Sequence, residues 1–333
     1  MVTFERVDLP RMDWGMSAQI GEMNIFQSAE WLNFLCKKQN LEPIIAAIKK
    51  DGRLLGFLYG LIAEKFGLRI LGSPFRGWTT YFMGFNLREG VSRHDVMAAF
   101  PGFVFHELHC HYLEVIDPNL RASDLVGLPY KVEPLPWFLL DLTPSENELF
   151  AGMKHACRTN IRKAIKNNLI IEEAEPTGFA EEYFSQYTDV MTRHALAPAF
   201  GRQMVEMMIE HLFPTGNLLL LRARMPDGPS IATGLFLFFG QTAVFWGAAS
   251  WHEYQCLRPN EYLAWEGIKI LKSRGVQVLH FGGYADQYKE KLGCQDANLV
   301  RVMLASNSIL GHLVNFASSP KSERYRNWML RRL

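Results

Sequence analysis

A chain of 333 residues with 48% hydrophobic and 21% charged residues has room for two globular domains, and its composition excludes a largely disordered protein. A net charge of +1 at pH 7 excludes a global attraction to nucleic acid or to an anionic membrane, so partners must be recognised by local patches. The five scattered cysteines form no CxxC pair, the N-terminus has no secretory signal, and no run approaches the roughly 18 apolar residues of a membrane span, which together predict a cytoplasmic protein.

The first half of the chain predicts a helix followed by a meander of strands. Residues 24–39 (NIFQSAEWLNFLCKKQ) begin with a cap at Ser28 and place three apolar side chains on one helical face: Trp31, Leu32 and Leu35. A hairpin turn at Asp51-Gly52 joins the first two of the strands that follow, which we predict at 43–48, 54–62 and 68–71. This half of the chain ends with a helix near 92–109 and a strand at 112–116.

Two segments of this half carry side chains that could form a site. The stretch 73–85 (SPFRGWTTYFMGF) is rich in aromatic residues and glycine, which is typical either of a loop that lines a cleft or of a packed surface loop. The segment HELHCH places three histidines beside Glu107 and Cys110: His106, His109 and His111. Because this spacing fits no standard zinc pattern, we predict no metal site.

The second half repeats the order of elements. Helices at 178–194 and 202–213 precede three strands, at 218–224, 231–239 and 242–249. The turn signals Asp51-Gly52 and Asp227-Gly228 lie 176 positions apart, and each is followed by a third strand, a helix and a fourth strand. We infer an α/β protein with mixed α+β sheets in two tandem copies, 1–143 and 144–316, followed by a basic tail at 317–333.

The most informative stretch is 256–293, which holds a helix, a strand and a charged loop in succession. The helix begins at Asn260, ends at Gly275 and has one apolar face: Ala264, Ile268 and Leu271, with Trp265 beside them. A buried strand at 276–281 runs into Gly282-Gly283, where the backbone must turn tightly or let a ligand approach. The charged loop follows directly, so we expect a site at the carboxyl end of this strand.

No GxGxxG, GxxxxGK[ST] or GxSxG motif is present, so the usual signals of nucleotide, nicotinamide and serine-hydrolase chemistry are missing. What remains is a polar set in the second copy: Trp246, Ser250, Tyr254, Asn260, Glu261, His280, Tyr284, Asp286 and Lys289. Lys289 could stabilise an oxyanion or bind a phosphate, and His280 or Asp286 could accept a proton from an amine. The alternatives are a core role for His280 and a surface ion pair between Asp286 and Lys289.

Two basic clusters offer a partner surface. Residues 154–168 (KHACRTNIRKAIKNN) contain no acid, and Arg158 and Arg162 share one helical face that could grip a phosphate; a solvated helix face is the alternative. After residue 316 the chain reads SSPKSERYRNWMLRRL, which is typical of a solvated helix or of a contact with a membrane surface or another polyanion.

Several separated motifs resemble the Fem-type (FemABX-like) branch of the GNAT acyltransferases, which includes BioF-type and cellulose-biosynthesis-associated acetyltransferases. They are RTNIRKAIKNNLII, WGAASWHEYQCLRPNEYLAWEGIKILKSRG and FGG...YKEKLG, with NIFQSAEWL near the start. The resemblance covers about residues 24–316 and implies two tandem GNAT-like domains, in agreement with the repeat.

The resemblance also implies roles for individual residues. The family's aromatic-Lys pair falls on Tyr288-Lys289, and that lysine supports transfer or binds substrate; Gly293 is the closing glycine. The family's Arg-rich helix, associated with phosphate-bearing acceptors, falls on Arg158, Arg162 and Lys163. His280 stands near a place where the family often has an acid. The RxxGxG/A loop of typical GNAT enzymes, which holds the diphosphate of coenzyme A, is missing here, so the resemblance implies either acyl-CoA or aminoacyl-tRNA as donor.

The resulting hypothesis is an acyltransferase in which an amine attacks an activated thioester or ester directly. The expected co-substrate is acyl-CoA or aminoacyl-tRNA, with no permanently bound cofactor. The acceptor would be a small molecule or a lipid- or nucleotide-linked precursor of the cell envelope or a polysaccharide, and the basic tail would contact the inner membrane face. The alternative is a non-catalytic scaffold protein that keeps the same fold.

Overall fold

The computed structural model describes residues 1–39, 41–65, 67–75, 79–283 and 287–307. In chain order the strands are β1 (Val2–Val7), β2 (Glu42–Lys50), β3 (Arg53–Lys65), β4 (Leu68–Ser73), β5 (Phe85–Leu87), β6 (Tyr112–Ile116), β7 (Lys131–Leu135), β8 (Phe138–Asp141), β9 (Ile170–Glu173), β10 (Leu218–Arg224), β11 (Ser230–Phe239), β12 (Thr242–Ser250), β13 (Val278–Gly282), β14 (Gln295–Asp296) and β15 (Leu299–Ala305). The α-helices are α1 (Trp14–Ile20), α2 (Ala29–Gln39), α3 (Arg93–Gly102), α4 (Glu146–Gly152), α5 (His155–Lys166), α6 (Phe179–Arg193), α7 (Arg202–Leu212), α8 (Pro259–Ser273) and α9 (Gln287–Leu292). Across these ranges no helix combines the length and hydrophobicity needed to span a bilayer.

Two mixed sheets organise these elements. The first has the order β1-β2-β3-β4-β6-β15-β7, with β5 paired to β3, and the second has the order β14-β8-β13-β12-β11-β10-β9. Each sheet contains a parallel pair whose strands are joined through a helix: β4 and β6 through α3, and β12 and β13 through α8. The repeated strand-helix-strand order predicted from the sequence is therefore present in both copies.

The chain divides into two compact units that are not continuous in sequence. One comprises Met1–Gly21, Gln39–Pro134 and the chain from Leu299, and the other comprises Glu22–Lys38 and Leu135–Asn298. These bounds differ from the predicted division at 143/144 because strand pairing crosses it: β15 pairs with β6 in the first sheet, and β8 pairs with β13 in the second. The predicted tail at 317–333 lies outside the described residues.

The stretch predicted at 73–85 packs against its own sheet over the part that is described. Phe82 and Met83 are fully buried, the N–H of Met83 donates to the carbonyl of Ile116 (3.0 Å), and the N–H of Gly84 donates to Oγ of Ser73 (2.8 Å). Residues 76–78 lie outside the described residues. These contacts favour the packed-loop interpretation over the cleft-lining one.

Helix α8 forms where the periodicity predicts it and covers one face of the second sheet. Its apolar positions Ala264, Ile268 and Leu271 are fully buried, and each buried leucine or isoleucine contributes about 1.5–3 kcal/mol relative to exposure. The helix ends at Gly275, whose φ of +85° allows the N–H of Val276 to reach the carbonyl of Leu271 (3.1 Å).

Candidate active site

The parallel strands β12 and β13 separate partway along their length. Their ladder comprises the pairs Thr242–Val278, Ala243–Leu279 and Val244–His280. Strand β12 then continues to Ser250, whereas β13 ends at Gly282 and pairs along its other edge with β8. Among the described residues this parallel pairing ends at Val244 and His280. We call the gap that opens between the two strands beyond these residues the splay; the backbone of β12 after Val244 borders it. The carboxyl ends of strands in an open α/β sheet are where such folds bind ligands.

Trp246 lies at a β-bulge on the splayed part of β12. Leu235 pairs with Gly247 and Phe236 pairs with Phe245, so Trp246 is the extra residue. We call Trp246 and its ring neighbours Tyr183, Tyr187 and Phe200 the aromatic cluster. The centroids of Trp246 and Phe200 lie 5.0 Å apart, and Tyr187 stacks on Phe200 at 4.8 Å. The cluster therefore forms an uncharged wall beside the bulge.

Helix α9 carries Lys289 as a buried residue. Lys289 is only 9% exposed, and its Nζ lies 5.7 Å from the ring centroid of Phe138. The hydroxyl of the neighbouring Tyr288 donates to the backbone carbonyl of Asn260 (3.1 Å), which attaches α9 to the first turn of α8. The predicted loop position of Lys289 is wrong, because this stretch forms a helix that packs its lysine against the aromatic face of Phe138.

His280 is engaged in the core of the second unit. Its ring is 5% exposed, and its Nδ1 accepts a hydrogen bond from the indole Nε1 of Trp137 (2.9 Å). Because an indole nitrogen only donates, the proton of the neutral imidazole is on Nε2. Burial lowers the pKa of His280 to about 4. A group that is so weakly basic is poorly suited to accept a proton from an ammonium near neutral pH, so the structure favours the core role.

The first turn of α8 gathers several of the predicted polar residues. Oε1 of Glu261 accepts a hydrogen bond from Nδ2 of Asn160 on α5 (2.7 Å). Oδ1 of Asn260 is buried without a hydrogen-bond partner among the described residues. Arg258 precedes the helix in the left-handed conformation (φ +64°) and supplies no side-chain cap. The backbone N–H groups of this turn are thus available to an anion, which a helix N-terminus favours.

Ser250 and Tyr254 lie on either side of the turn that leads from β12 to α8. Ser250 is 1% exposed, and within the described residues its Oγ has no hydrogen-bond partner, whereas its carbonyl accepts from Nη2 of Arg193 (3.2 Å). Arg193 also contacts Nδ1 of His252 (3.1 Å). Tyr254 lies in a short 3-10 segment, His252–Leu257, and packs partly buried against the core. These residues form the end wall of the splayed strand.

The Arg-rich segment forms helix α5, as predicted, but its arginines differ in use. Nη1 of Arg158 donates to the backbone carbonyls of Ala151 (2.8 Å) and Met153, so this side chain ends helix α4. The guanidinium carbon of Arg162 lies 5.3 Å from the ring centroid of Phe150, and Lys163 is exposed. Arg158 therefore has a structural contact at the end of α4 through Nη1, and the phosphate clamp of Arg158 and Arg162 stays a prediction.

The structure brings some predicted site residues together and not others. Asn260, Glu261 and Tyr288 meet at the start of α8, and Trp246 and Ser250 border the splay on β12. Tyr284 and Asp286 lie outside the described residues. Sequence reasoning missed Trp137, Phe138 and the ring neighbours of Trp246 (Tyr183, Tyr187 and Phe200), for which no motif gives a signal. His111, from the HELHCH segment, uses Nδ1 to accept the N–H of Arg69 (3.0 Å), and the described residues contain no group of three metal-ligating side chains.

Comparison with known proteins bears on this geometry. Residues 155–290, which span α5 to α9, match the acetyltransferase (GNAT) domain. No protein of curated function matches the sequence significantly. Among solved structures the chain is similar to FemX, at 12% identity and a TM-score of 0.74 over 94% of this chain and 99% of that one.

Two further structures share the fold. One is a tandem GNAT protein from the clavulanic acid biosynthesis pathway, at 11% identity and a TM-score of 0.52 over 92% of this chain and 99% of that one. The other is L-PGS from Bacillus licheniformis, at 9% identity and a TM-score of 0.54 over 93% and 96%.

The splayed parallel pair lies inside residues 155–290, and this part of the chain matches the GNAT acetyltransferase domain. Its two mixed sheets confirm the predicted tandem GNAT-like fold. Over nearly the whole chain the fold is that of FemX and of the tandem GNAT structure, in agreement with the FemABX-like resemblance of the sequence motifs.

Proposed function

We propose that the protein transfers an acyl group from an activated donor, either acyl-CoA or aminoacyl-tRNA, to the amine of a phosphate-bearing precursor of the cell envelope or of a polysaccharide. The observation that carries this proposal is the splay between β12 and β13, which lies inside the matched GNAT domain. Helix α9, which bears Lys289, contacts the first turn of α8 through Tyr288. The resemblance of the motifs to the Fem-type branch supports an acceptor of this kind.

In the proposed reaction the amine attacks the carbonyl of the donor directly. A C–N bond forms, the carbonyl oxygen becomes negatively charged, and the C–S bond of a thioester or the C–O bond of an ester then breaks. The amine loses one proton, and the leaving thiolate or alkoxide takes up one. Holding the two reactants in line along the splay lowers the entropic cost of their encounter, which is a major source of rate in such reactions.

Lys289 is the residue that we assign to the developing negative charge. Its ammonium is nearly buried beside Phe138, where charge interactions are stronger than in water. The second set of donors consists of the backbone N–H groups on the β13-facing edge of β12 beyond Val244, where the pairing with β13 has ended. The phosphates of the donor would lie at the first turn of α8, where backbone N–H groups are available and Arg258 is exposed.

The proton acceptor is the less defined part of the proposal. The low basicity of His280 leaves Asp286 and bulk solvent as the proposed acceptors. The aromatic cluster would exclude water from one side of the reacting carbonyl. The turn from β12 to α8 contains no glycine, unlike the diphosphate loop of typical GNAT enzymes, so the proposal keeps both donor classes.

The proposal is tested by incubating the full-length protein with a panel of acyl-CoA esters and aminoacylated tRNAs, each combined with nucleotide-linked and lipid-linked amino-sugar acceptors. Mass spectrometry should detect an acylated acceptor with one donor class, and the Lys289→Met variant should form it far more slowly. If no combination gives a product while the protein still binds an acceptor, the scaffold alternative is correct.

A further inference from the structure

The outer side of helix α5 carries a compact positive surface. Its inner side packs through Cys157, Ile161 and Ala164, which are fully buried. We call the solvent-facing residues of its last two turns the cationic face: Arg162, Lys163, Ile165 and Lys166, all exposed.

The charges of this face are not neutralised. In the part of the chain that the structure describes, none of Arg162, Lys163 and Lys166 forms an ion pair. The acids that approach α5 are already engaged: Glu290 pairs with Lys154 (3.0 Å), and Glu261 accepts from Asn160 (2.7 Å). Three cations therefore remain for an external anion.

Ile165 makes this surface unlike an ordinary solvated helix face. The residue is 51% exposed and lies between Lys163 and Lys166 in sequence, one turn after Arg162. A single exposed aliphatic side chain needs no explanation by itself. Ile165, however, borders Arg162 and Lys166 on the helix surface, with Lys163 further round the same exposed side. This is the pattern of a helix that lies on a lipid interface, with an apolar side chain in the acyl boundary and cations at the headgroups.

We propose that the cationic face of α5 docks on the surface of an anionic lipid bilayer, with Ile165 inserted and the three cations against lipid phosphates. A lipid surface uses both features of the face, whereas the phosphate backbone of an RNA or a free phosphate would use the cations and leave Ile165 without a role. The proposal concerns a surface outside the splay and does not depend on acyl transfer.

The first test measures vesicle binding of the full-length protein by co-sedimentation. Because each basic residue near an anionic membrane is worth roughly a fivefold change in affinity, three should make phosphatidylglycerol-containing vesicles bind about a hundredfold more tightly than pure phosphatidylcholine ones. Lys163→Gln with Lys166→Gln should weaken that binding about twenty-five-fold and reduce its dependence on salt. Ile165→Ser should weaken binding while preserving the salt dependence.

The matched control is Arg11→Gln with Arg53→Gln, which removes the same net charge from exposed positions of the other unit and should bind as wild type. Circular dichroism and melting temperature establish that each variant is folded. The proposal is overturned if both α5 variants bind vesicles as tightly as the wild type does. It is also overturned if binding is lost only in a variant of the basic tail, Arg331→Gln with Arg332→Gln. Stronger binding to an uncharged tRNA than to vesicles, or displacement from vesicles by inorganic pyrophosphate, would also overturn it.

Discussion

The indole nitrogen of Trp137 donates a 2.9 Å hydrogen bond to Nδ1 of His280, which joins the residue before β8 to the strand that borders the splay. Both side chains are buried, so this bond replaces hydrogen bonds to water that the two polar groups lose inside the second unit. The bond also keeps the neutral imidazole in one tautomer. His280 thus holds β13 beside β8 and is not free to exchange protons.

The first prediction follows from the pKa of His280, which burial lowers to about 4. The unfolded chain takes up this proton near pH 6.5 and the folded protein only near pH 4, so between these values the unfolded state binds more protons. The contribution of His280 to stability is therefore complete above pH 6.5 and is lost as the pH falls toward 4, by about 3 kcal/mol at most. Urea unfolding at several pH values should show this loss for the wild type and not for His280→Leu. Parallel pH curves for the two proteins would contradict it.

The second prediction concerns Lys289. Replacing it with Met keeps the length of the side chain and removes its charge, and the melting temperature establishes whether the variant is folded. If the ammonium stabilises the transition state, kcat should fall by about a hundredfold, as for loss of an oxyanion-hole donor. The control is Lys291→Met, a partly exposed lysine of the same helix. A folded Lys289→Met variant with full activity would remove this residue from the site.

The third prediction concerns the buried carboxylate of Asp117 in the first unit. Asp117 is fully buried, and it accepts hydrogen bonds from Arg93 (2.8 Å) and from the N–H groups of Phe85 (2.9 Å) and Asn119 (2.7 Å). Arg93→Met leaves the charge unpaired and should cost about 3–5 kcal/mol. Burial raises the pKa of Asp117, so the cost should shrink as the pH falls and the carboxyl becomes protonated.

A double-mutant cycle checks this pair. Arg93→Met combined with Asp117→Asn should be more stable than Arg93→Met alone, since the unpaired charge is gone. Equal stabilities of these two variants would show that Arg93 acts through packing and not through the carboxylate.

The fourth prediction concerns the division of the chain. A fragment of residues 144–316 lacks β8, which lies between β13 and β14, and lacks α2, which belongs to the same unit. It should not unfold cooperatively, because the edge of β13 and a buried face of the sheet would be open to water. Circular dichroism during heating should show a cooperative transition for a fragment of residues 22–316, which keeps β8 and α2, and none for 144–316. A cooperative transition in 144–316 would mean that β8 and α2 are dispensable.

The sequence by itself determined the elements whose signals are local. Helix α8, its end at Gly275 and the hairpin turn at Asp51-Gly52 follow from periodicity and turn chemistry, which depend on neighbours a few positions away. The repeated order of strands and the spaced motifs were sufficient for the tandem fold, since they depend on element order alone.

Only the tertiary structure decided which distant segments meet. Trp137 and His280 are separated by 143 positions, and their contact exists because β8 pairs with β13 across the predicted division. The same pairing places Phe138 beside Lys289, while Nη1 of Arg158 donates to the carbonyl of Ala151 in α4. Strand order and the donor that each carbonyl accepts from cannot be read from a pattern of residue types. Both are set by the free energy of the whole packed chain.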